Sequence, residues 1–173
     1  MVKPIRVNEP YPIIEDVFCD KYSATVISPA YCGLHGELNA VLSYTRGNFN
    51  YADAVDEKTS ELFMGIALAE MHHFNLLGQT LLSLGARPNL AECSPFTSSD
   101  NLKQKTTLSR APEKILADSI AMEMVVIYGY EKMLKLLKNR QVYAIIERIL
   151  EDERLHLEIL KDRFNSGGVK IFY

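Results

Sequence analysis

The chain has 173 residues, of which 47% are hydrophobic and 24% are charged, so it is long enough for one domain with a substantial core. Its formal net charge of −3 argues against a general nucleic-acid-binding protein, which would carry a basic excess. No apolar run is long enough to span a bilayer, and the N-terminal segment lacks the apolar region of a secretory signal, so the expectation is a cytoplasmic protein that binds neither nucleic acid nor membrane.

The first part of the chain predicts an arm followed by a helix. Residues 1–27 contain three prolines and little periodicity, so we expect an extended N-terminal arm with one short helix near residues 13–18. Residues 28–48 predict the first long helix, because Ser28 suits its N-cap and Gly47 suits its end.

The longest periodic run follows, over residues 53–85. Asp53 or Asp56 is suited to begin this second helix and Gly85 to end it. At a rise of about 1.5 Å per residue the helix would reach roughly 40 Å. Residues 86–108 are polar and carry two prolines, which predicts a long crossover rather than a tight turn.

Two further helices complete the predicted fold. The third covers residues 109–138, with Pro112 in its first turn, and the fourth covers 139–164. A short break near Asn139 makes them antiparallel neighbours. Four long helices with one long crossover between the second and third predict an all-α protein with a four-helix bundle over residues 28–164. Residues 165–173 are left as a C-terminal tail.

Each predicted helix carries one glutamate on its apolar face, and the second and fourth helices add a histidine three residues later. The order is Glu, Glu-x-x-His, Glu, Glu-x-x-His, formed by Glu37, Glu70, His73, Glu123, Glu153 and His156. Residues at i and i+3 share a helix face, so each Glu-x-x-His pair can serve one site. Four buried carboxylates cannot all stay ionised together without cations. Oxygen and imidazole ligands suit iron and manganese, so the pattern predicts two Fe or two Mn ions per chain.

These residues resemble the ferritin-like superfamily, and especially its rubrerythrin, bacterioferritin and manganese-catalase branches. The most similar segments are "GELNAVLSY", "AEMHHFNLLG" and "ILEDERLHLEIL". The resemblance implies that the six residues are metal ligands, with Glu70 and Glu153 as bridging, catalytic residues. It implies a dinuclear non-haem oxidoreductase that reacts with hydrogen peroxide or dioxygen, with rubrerythrin-like peroxide scavenging as the first choice.

The chain departs from rubrerythrins at two points. Ile120 and Val126 flank Glu123, whereas rubrerythrins usually carry an extra carboxylate one turn away, and no CxxC pair of a rubredoxin domain is present. Electrons for peroxide reduction would therefore come from an external donor protein. Met71 resembles a bacterioferritin haem ligand in position, but we expect it to pack on an outer face. His72 is about 100° around the helix from the histidine that follows it, so we expect it at the surface.

Other functions and roles stay open at this point. One alternative is a manganese catalase, another is ferroxidase or iron handling, and a third is a non-catalytic, metal-stabilised structural bundle. Long helices with spare apolar faces also predict a homodimer. Tyr44 and Tyr130 are hydrogen-bond donors to the ligands, radical-quenching phenols or core aromatics. Glu151, Asp152 and Glu158 predict a solvated face.

Overall fold

The computed structural model describes residues 1–13, 19–53, 56–89 and 112–166, and these ranges contain helices and no strand. The helices are α1 (Lys21–Cys32), α2 (Glu37–Asp53), α3 (Glu57–Ser83), α4 (Pro112–Leu136) and α5 (Arg140–Asn165). Helix α2 packs mainly against α3, and α4 packs mainly against α5. These two helix pairs form the four-helix bundle, which confirms the predicted fold class. Most of the predicted crossover lies outside the described residues.

Three predicted helix starts agree with the structure. Asp56, rather than Asp53, caps α3, since its carboxylate accepts a hydrogen bond from the Thr59 amide. Pro112 is the first residue of α4, where its missing amide hydrogen has no cost. Asn139 caps α5 by accepting hydrogen bonds from the first amides of that helix.

The predicted first helix over residues 28–48 is wrong, because the structure divides it into α1 and α2. Ser28 lies inside α1, which is capped instead by Asp20. A turn separates the two helices, and a Cβ at Gly36 would come within 2.6 Å of the Ala30 carbonyl oxygen. The chain can therefore turn this tightly only with a glycine at that position. Gly47, expected at the helix end, lies inside α2 against the ring of Phe63.

The segment predicted as an arm covers two different structures. Residues 1–13 contain no helix, whereas residues 21–27 form the first part of α1, whose Ile27 is fully buried. The short helix expected near residues 13–18 falls largely on residues outside the described part of the chain. The domain boundaries at residues 28 and 164 stay a prediction.

Two apolar clusters occupy the two ends of the bundle. One contains Leu77 and Ile149, and the other contains Ile66 and Leu160. The Glu-x-x-His pairs of α3 and α5 lie between these positions along their helices, so the polar residues are enclosed by apolar packing on both sides. Among the described helices, none combines the length and the apolar character that crossing a membrane requires.

Candidate metal centre

The structure brings all six predicted ligands together in the middle of the bundle, and each is at most 2% exposed. They form two groups, in each of which one potential ligand atom per residue lies within 4.8 Å of the others. The first group is Glu37, Glu70, His73 and Glu153; the second is Glu70, Glu123, Glu153 and His156. Glu70 and Glu153 belong to both groups, which is the arrangement that two bridging carboxylates require.

Both histidines direct the same ring nitrogen toward the centre. Nδ1 of His73 lies 3.1 Å from Glu153 and 3.4 Å from Glu70. Nδ1 of His156 lies 3.0 Å from Glu70 and 3.4 Å from Glu153. The two histidines therefore have equivalent surroundings: each Nδ1 is closer to the glutamate of the other helix than to the glutamate of its own helix. Each Nδ1 is available to the centre, and each Nε2 points away from it.

The buried atoms that face the centre lack hydrogen-bond partners. This holds for both carboxylate oxygens of Glu70, for Nδ1 of both histidines, and for one oxygen each of Glu123 and Glu153. Buried polar atoms almost always have a partner, because desolvation without one costs free energy. Six unpaired oxygen and nitrogen atoms that converge on one place fit a pair of divalent cations such as iron or manganese.

The carboxylates of the centre perturb one another strongly. Burial raises the pKa of Glu37 and of Glu123 well above the usual range, and the neighbouring charges of Glu70 and Glu153 raise it further. Burial also acts to raise the pKa of Glu70, but the close approach of Glu37 and of the two histidine rings outweighs it and lowers that pKa.

The neighbouring carboxylates also perturb the pKa values of the two histidines. Burial acts to lower the pKa of His73, but the hydrogen bond with Asp152 and the nearby carboxylates of Glu153 and Glu70 outweigh it and raise that pKa well above its ordinary value. Burial is likewise outweighed at His156, whose pKa is raised by Glu153 and Glu70. Raised pKa values at these sites mean that a metal ion would compete with protons for the same carboxylate and imidazole atoms.

Two tyrosines hold the outer glutamates in a reciprocal arrangement. The Tyr44 hydroxyl on α2 donates a hydrogen bond to Oε1 of Glu123 on α4, and the Tyr130 hydroxyl on α4 donates one to Oε1 of Glu37 on α2. Burial raises the pKa of both phenols, so they remain donors. The structure supports the role of hydrogen-bond donor to the predicted ligands, and both rings also belong to the apolar clusters of the core. Radical quenching stays a prediction.

Asp152 was predicted on a solvated face, and that prediction is wrong. Its side chain is fully buried and accepts a hydrogen bond from Nε2 of His73 at 2.9 Å. It also accepts hydrogen bonds from the Tyr11 hydroxyl at 2.5 Å and from the Val7 amide at 2.7 Å, and it pairs with Arg148 at 2.8 Å. The i,i+4 spacing of Arg148 and Asp152 is the one sequence signal that could have indicated this pair.

The N-terminal arm supplies further contacts that sequence reasoning missed. The Ile5 carbonyl accepts a hydrogen bond from Nε2 of His156 at 2.7 Å, while the Ile5 amide donates to the Gly65 carbonyl. Arg148 donates to the carbonyls of Val7 and Glu9 and fixes the arm on α5. The arm therefore lies across α3 and α5 and reaches the outer nitrogen of each histidine.

The remaining singled-out residues lie at the surface. His72 is exposed, as predicted, and its ring centroid is 4.4 Å from that of Tyr11. Met71 is 48% exposed, so it is less packed than expected. Glu151 and Glu158 are exposed, in agreement with the solvated face predicted for them.

Comparison with known proteins identifies the family of this bundle. A family model for the ferritin-like domain matches residues 33–166, which is well over half of the chain and includes all six predicted ligands. A search of curated proteins gave no match. The chain therefore belongs to the ferritin-like domain family.

Proposed function

We propose that the chain is a dinuclear non-haem metal oxidoreductase that reduces hydrogen peroxide or dioxygen, in the manner of a rubrerythrin without a rubredoxin domain. The main support is the set of buried, unpaired oxygen and nitrogen atoms arranged in two groups that share Glu70 and Glu153. In this proposal the six predicted residues are the ligands of two Fe or two Mn ions, and Glu70 and Glu153 bridge them.

The residues around the centre have separable roles in this proposal. When bound, the metal pair would supply two electrons for cleavage of an O–O bond. Glu37 and Glu123 would each keep one oxygen for a metal while the other accepts a hydrogen bond from a tyrosine. Reduction of one peroxide to two waters consumes two electrons and two protons. Tyr44 and Tyr130 hold protons beside the centre, within reach of its carboxylates.

The burial of the centre limits what can react there. With every predicted ligand at most 2% exposed, a bulky organic substrate has no access, whereas hydrogen peroxide and dioxygen are small enough to enter through packing fluctuations. Electrons would come from a separate donor protein. A cytoplasmic location and a homodimer are part of the proposal, and exposed apolar side chains such as Phe49 on α2 and Tyr128 on α4 offer a contact surface.

The first experiment measures metal content after expression with both iron and manganese available. We expect about two metal ions per wild-type chain and the loss of both in Glu70→Ala, because that carboxylate is shared by the two positions. Glu151→Gln, an exposed carboxylate on α5, is the matched control and should keep both ions. Fewer than about half a metal ion per wild-type chain would overturn the dinuclear proposal.

The second experiment follows peroxide decay by the loaded protein, with and without an added reductant. Decay that requires the reductant supports peroxide scavenging. Decay by a manganese form without reductant would instead indicate a catalase. Oxidation of added ferrous iron as the main reaction would indicate iron handling, and unchanged peroxide with a full metal complement would indicate a structural bundle.

A further inference from the structure

The outer nitrogens of the two histidines meet chemically different acceptors. Nε2 of His73 donates to a carboxylate oxygen of Asp152 at 2.9 Å, and the Tyr11 hydroxyl lies 3.2 Å from the same nitrogen. Nε2 of His156 donates to the Ile5 backbone carbonyl at 2.7 Å. One histidine therefore faces an ionised acceptor, whereas the other faces a neutral amide.

The carboxylate of Asp152 is held in place from all sides. It is fully buried, and Oδ1 receives the Val7 amide and the Arg148 guanidinium, while Oδ2 receives Tyr11 and His73. Arg148 compensates part of the charge, but it binds the oxygen that does not contact the histidine. Hydrogen bonds to an ionised acceptor are about twice as strong as those between neutral groups. A carboxylate partner on the outer nitrogen also raises the basicity of a metal-binding histidine.

The rest of the two predicted metal positions is matched. Each has one histidine, one outer glutamate whose second oxygen accepts a tyrosine hydroxyl, and the same two shared glutamates. The difference between Asp152 and the Ile5 carbonyl is thus the main asymmetry between the positions. Nδ1 of His73 is therefore the more basic of the two metal-binding nitrogens. The position that contains His73 and Glu37 should for this reason bind a divalent cation more tightly.

We propose that the two metal positions are unequal, that the His73 position fills first, and that Asp152 and Tyr11 are positioning residues that set this order. The inference rests on the proposed function, since it requires the dinuclear centre. It goes beyond that function by assigning an order of loading to the two positions and a role to the N-terminal arm in setting it.

The test is a titration of the metal-free full chain with Mn²⁺ alone. Calorimetry measures the binding steps, and electron paramagnetic resonance detects the bound Mn²⁺. In the wild type we expect two resolved steps, so that at one equivalent most chains hold a single, magnetically isolated Mn²⁺. Asp152→Asn should weaken the first step by about 10- to 100-fold and merge the two steps, because a neutral amide replaces the carboxylate. Glu151→Gln, one residue earlier on α5 and exposed, should leave both steps unchanged.

A second set of variants keeps the inference testable if Asp152→Asn does not fold. Tyr11→Phe keeps the ring and removes one hydrogen bond to the carboxylate, so it should weaken the first step by roughly threefold and leave the second step unchanged. His156→Ala should retain a single tight ion, whereas His73→Ala should retain a single weak one.

The outcomes separate this inference from the proposed function. Two Mn²⁺ ions bound in one unresolved step, or two steps weakened equally by Asp152→Asn and Tyr11→Phe, would overturn the unequal positions and leave the dinuclear centre intact. A tighter ion in His73→Ala than in His156→Ala would reverse the order and overturn the proposal. If the wild type binds neither Mn²⁺ nor, in a parallel anaerobic titration, Fe²⁺, the dinuclear centre and the loading order are overturned together.

Discussion

The side of the bundle formed by α2 and α4 and the side formed by α3 and α5 hold their predicted ligands by different means. On the first side, Glu37 and Glu123 each accept a hydrogen bond from a tyrosine of the opposite helix. On the second side, the histidines are held from outside by Asp152 and by the N-terminal arm. The contacts on the first side are reciprocal, because each helix gives a tyrosine to the glutamate of the other. The contacts on the second side differ between the two histidines.

This difference shows how a chain with two similar helix pairs acquires an asymmetric centre. The tyrosines lie seven residues after the glutamates of their own helices, so the same local spacing produces both halves of the reciprocal side. The arm has no second copy in the described part of the chain, and it supplies a different partner to each histidine. Asymmetry thus enters through a segment distant in sequence, while the ligand spacing remains the same in both pairs.

The largest effect is expected from removing metal and raising the pH, which acts on both sides together. The histidine pKa values are raised, so their stabilising contribution is complete below about pH 6.5 and is lost as pH rises through the folded-state pKa. The raised pKa values of Glu37 and Glu123 act in the same direction from about pH 4.5 upward. Each proton that the folded state keeps after the unfolded state has released it lowers the free energy of unfolding by about 1.4 kcal/mol per pH unit.

The melting temperature of the metal-free chain, measured in a chelator, should therefore fall from pH 5 to pH 8. Added Mn²⁺ should remove this trend, because metal replaces the protons on the same atoms. Asp152 acts in the opposite direction, since its lowered pKa gives stability that is lost only as the pH falls below about 4. A metal-free chain that becomes more stable between pH 5 and pH 8 would contradict this account.

Removing the Arg148 side chain should disrupt the contacts that the N-terminal arm and Asp152 make on the α3–α5 side, and leave the α2–α4 side intact. Arg148→Ala leaves the buried carboxylate of Asp152 without its cation and frees the arm, so the free energy of unfolding should fall by about 3–5 kcal/mol. Urea unfolding of the metal-free protein measures this loss. Arg154→Ala is the matched control on α5, because its pair with Glu131 is exposed and should be worth less than about 1 kcal/mol. Equal losses in the two variants would show that the arm contacts contribute little.

The α2–α4 side can be tested by removing its two hydroxyl groups one at a time. Tyr44→Phe and Tyr130→Phe each leave a buried carboxyl oxygen without its donor and should each lower the free energy of unfolding by about 1–3 kcal/mol. Because the two contacts are reciprocal, the losses should be similar. Tyr128→Phe, at an exposed position of α4, should change stability by less than about 0.5 kcal/mol. A large loss in only one buried variant would disprove the equivalence of this side.

The smallest effect concerns two glycines on opposite sides of the bundle. A Cβ at Gly129 in α4 would meet nothing within 4 Å, so Gly129→Ala should stabilise the chain by about 0.5–1 kcal/mol through helix propensity. A Cβ at Gly65 in α3 would come within 2.8 Å of the Ile5 side chain, so the arm must shift and the gain should disappear. Thermal unfolding measures both changes. Faster hydrogen exchange of the Ile5 amide in Gly65→Ala would report the shift, and an unchanged rate would argue against close contact there.

The sequence was sufficient for the parts of the structure that depend on short spacings. The i,i+3 pairs on α3 and α5 could be recognised because a charged residue on an apolar helix face is costly without a partner. The cap at Asn139 and the proline at the start of α4 follow from backbone hydrogen bonding within one turn. The turn between α1 and α2 was missed, because the apolar pattern continues across Gly33 and Gly36 as if the helix were unbroken.

The outer contacts of the histidines could not be predicted in the same way. Asp152 lies between two other acidic residues, and such a run usually faces water. Its burial depends on Tyr11 and Val7, which are more than 140 positions away and lie in a segment without periodicity. The spacing within one helix carries no information about a non-helical segment that packs against that helix from a distant part of the chain.

The length of these connections sets an order of assembly. The hydrogen bonds that join the arm to α5 link residues 139 to 151 positions apart, whereas the α2–α3 and α4–α5 pairs are formed by helices adjacent in sequence. Contacts of low sequence separation form with less loss of chain entropy and so form earlier. The two helical hairpins should therefore dock first, with the four carboxylates already facing one another. We expect the arm to pack onto α3 and α5 last, which predicts an interval during folding in which the centre is open to metal.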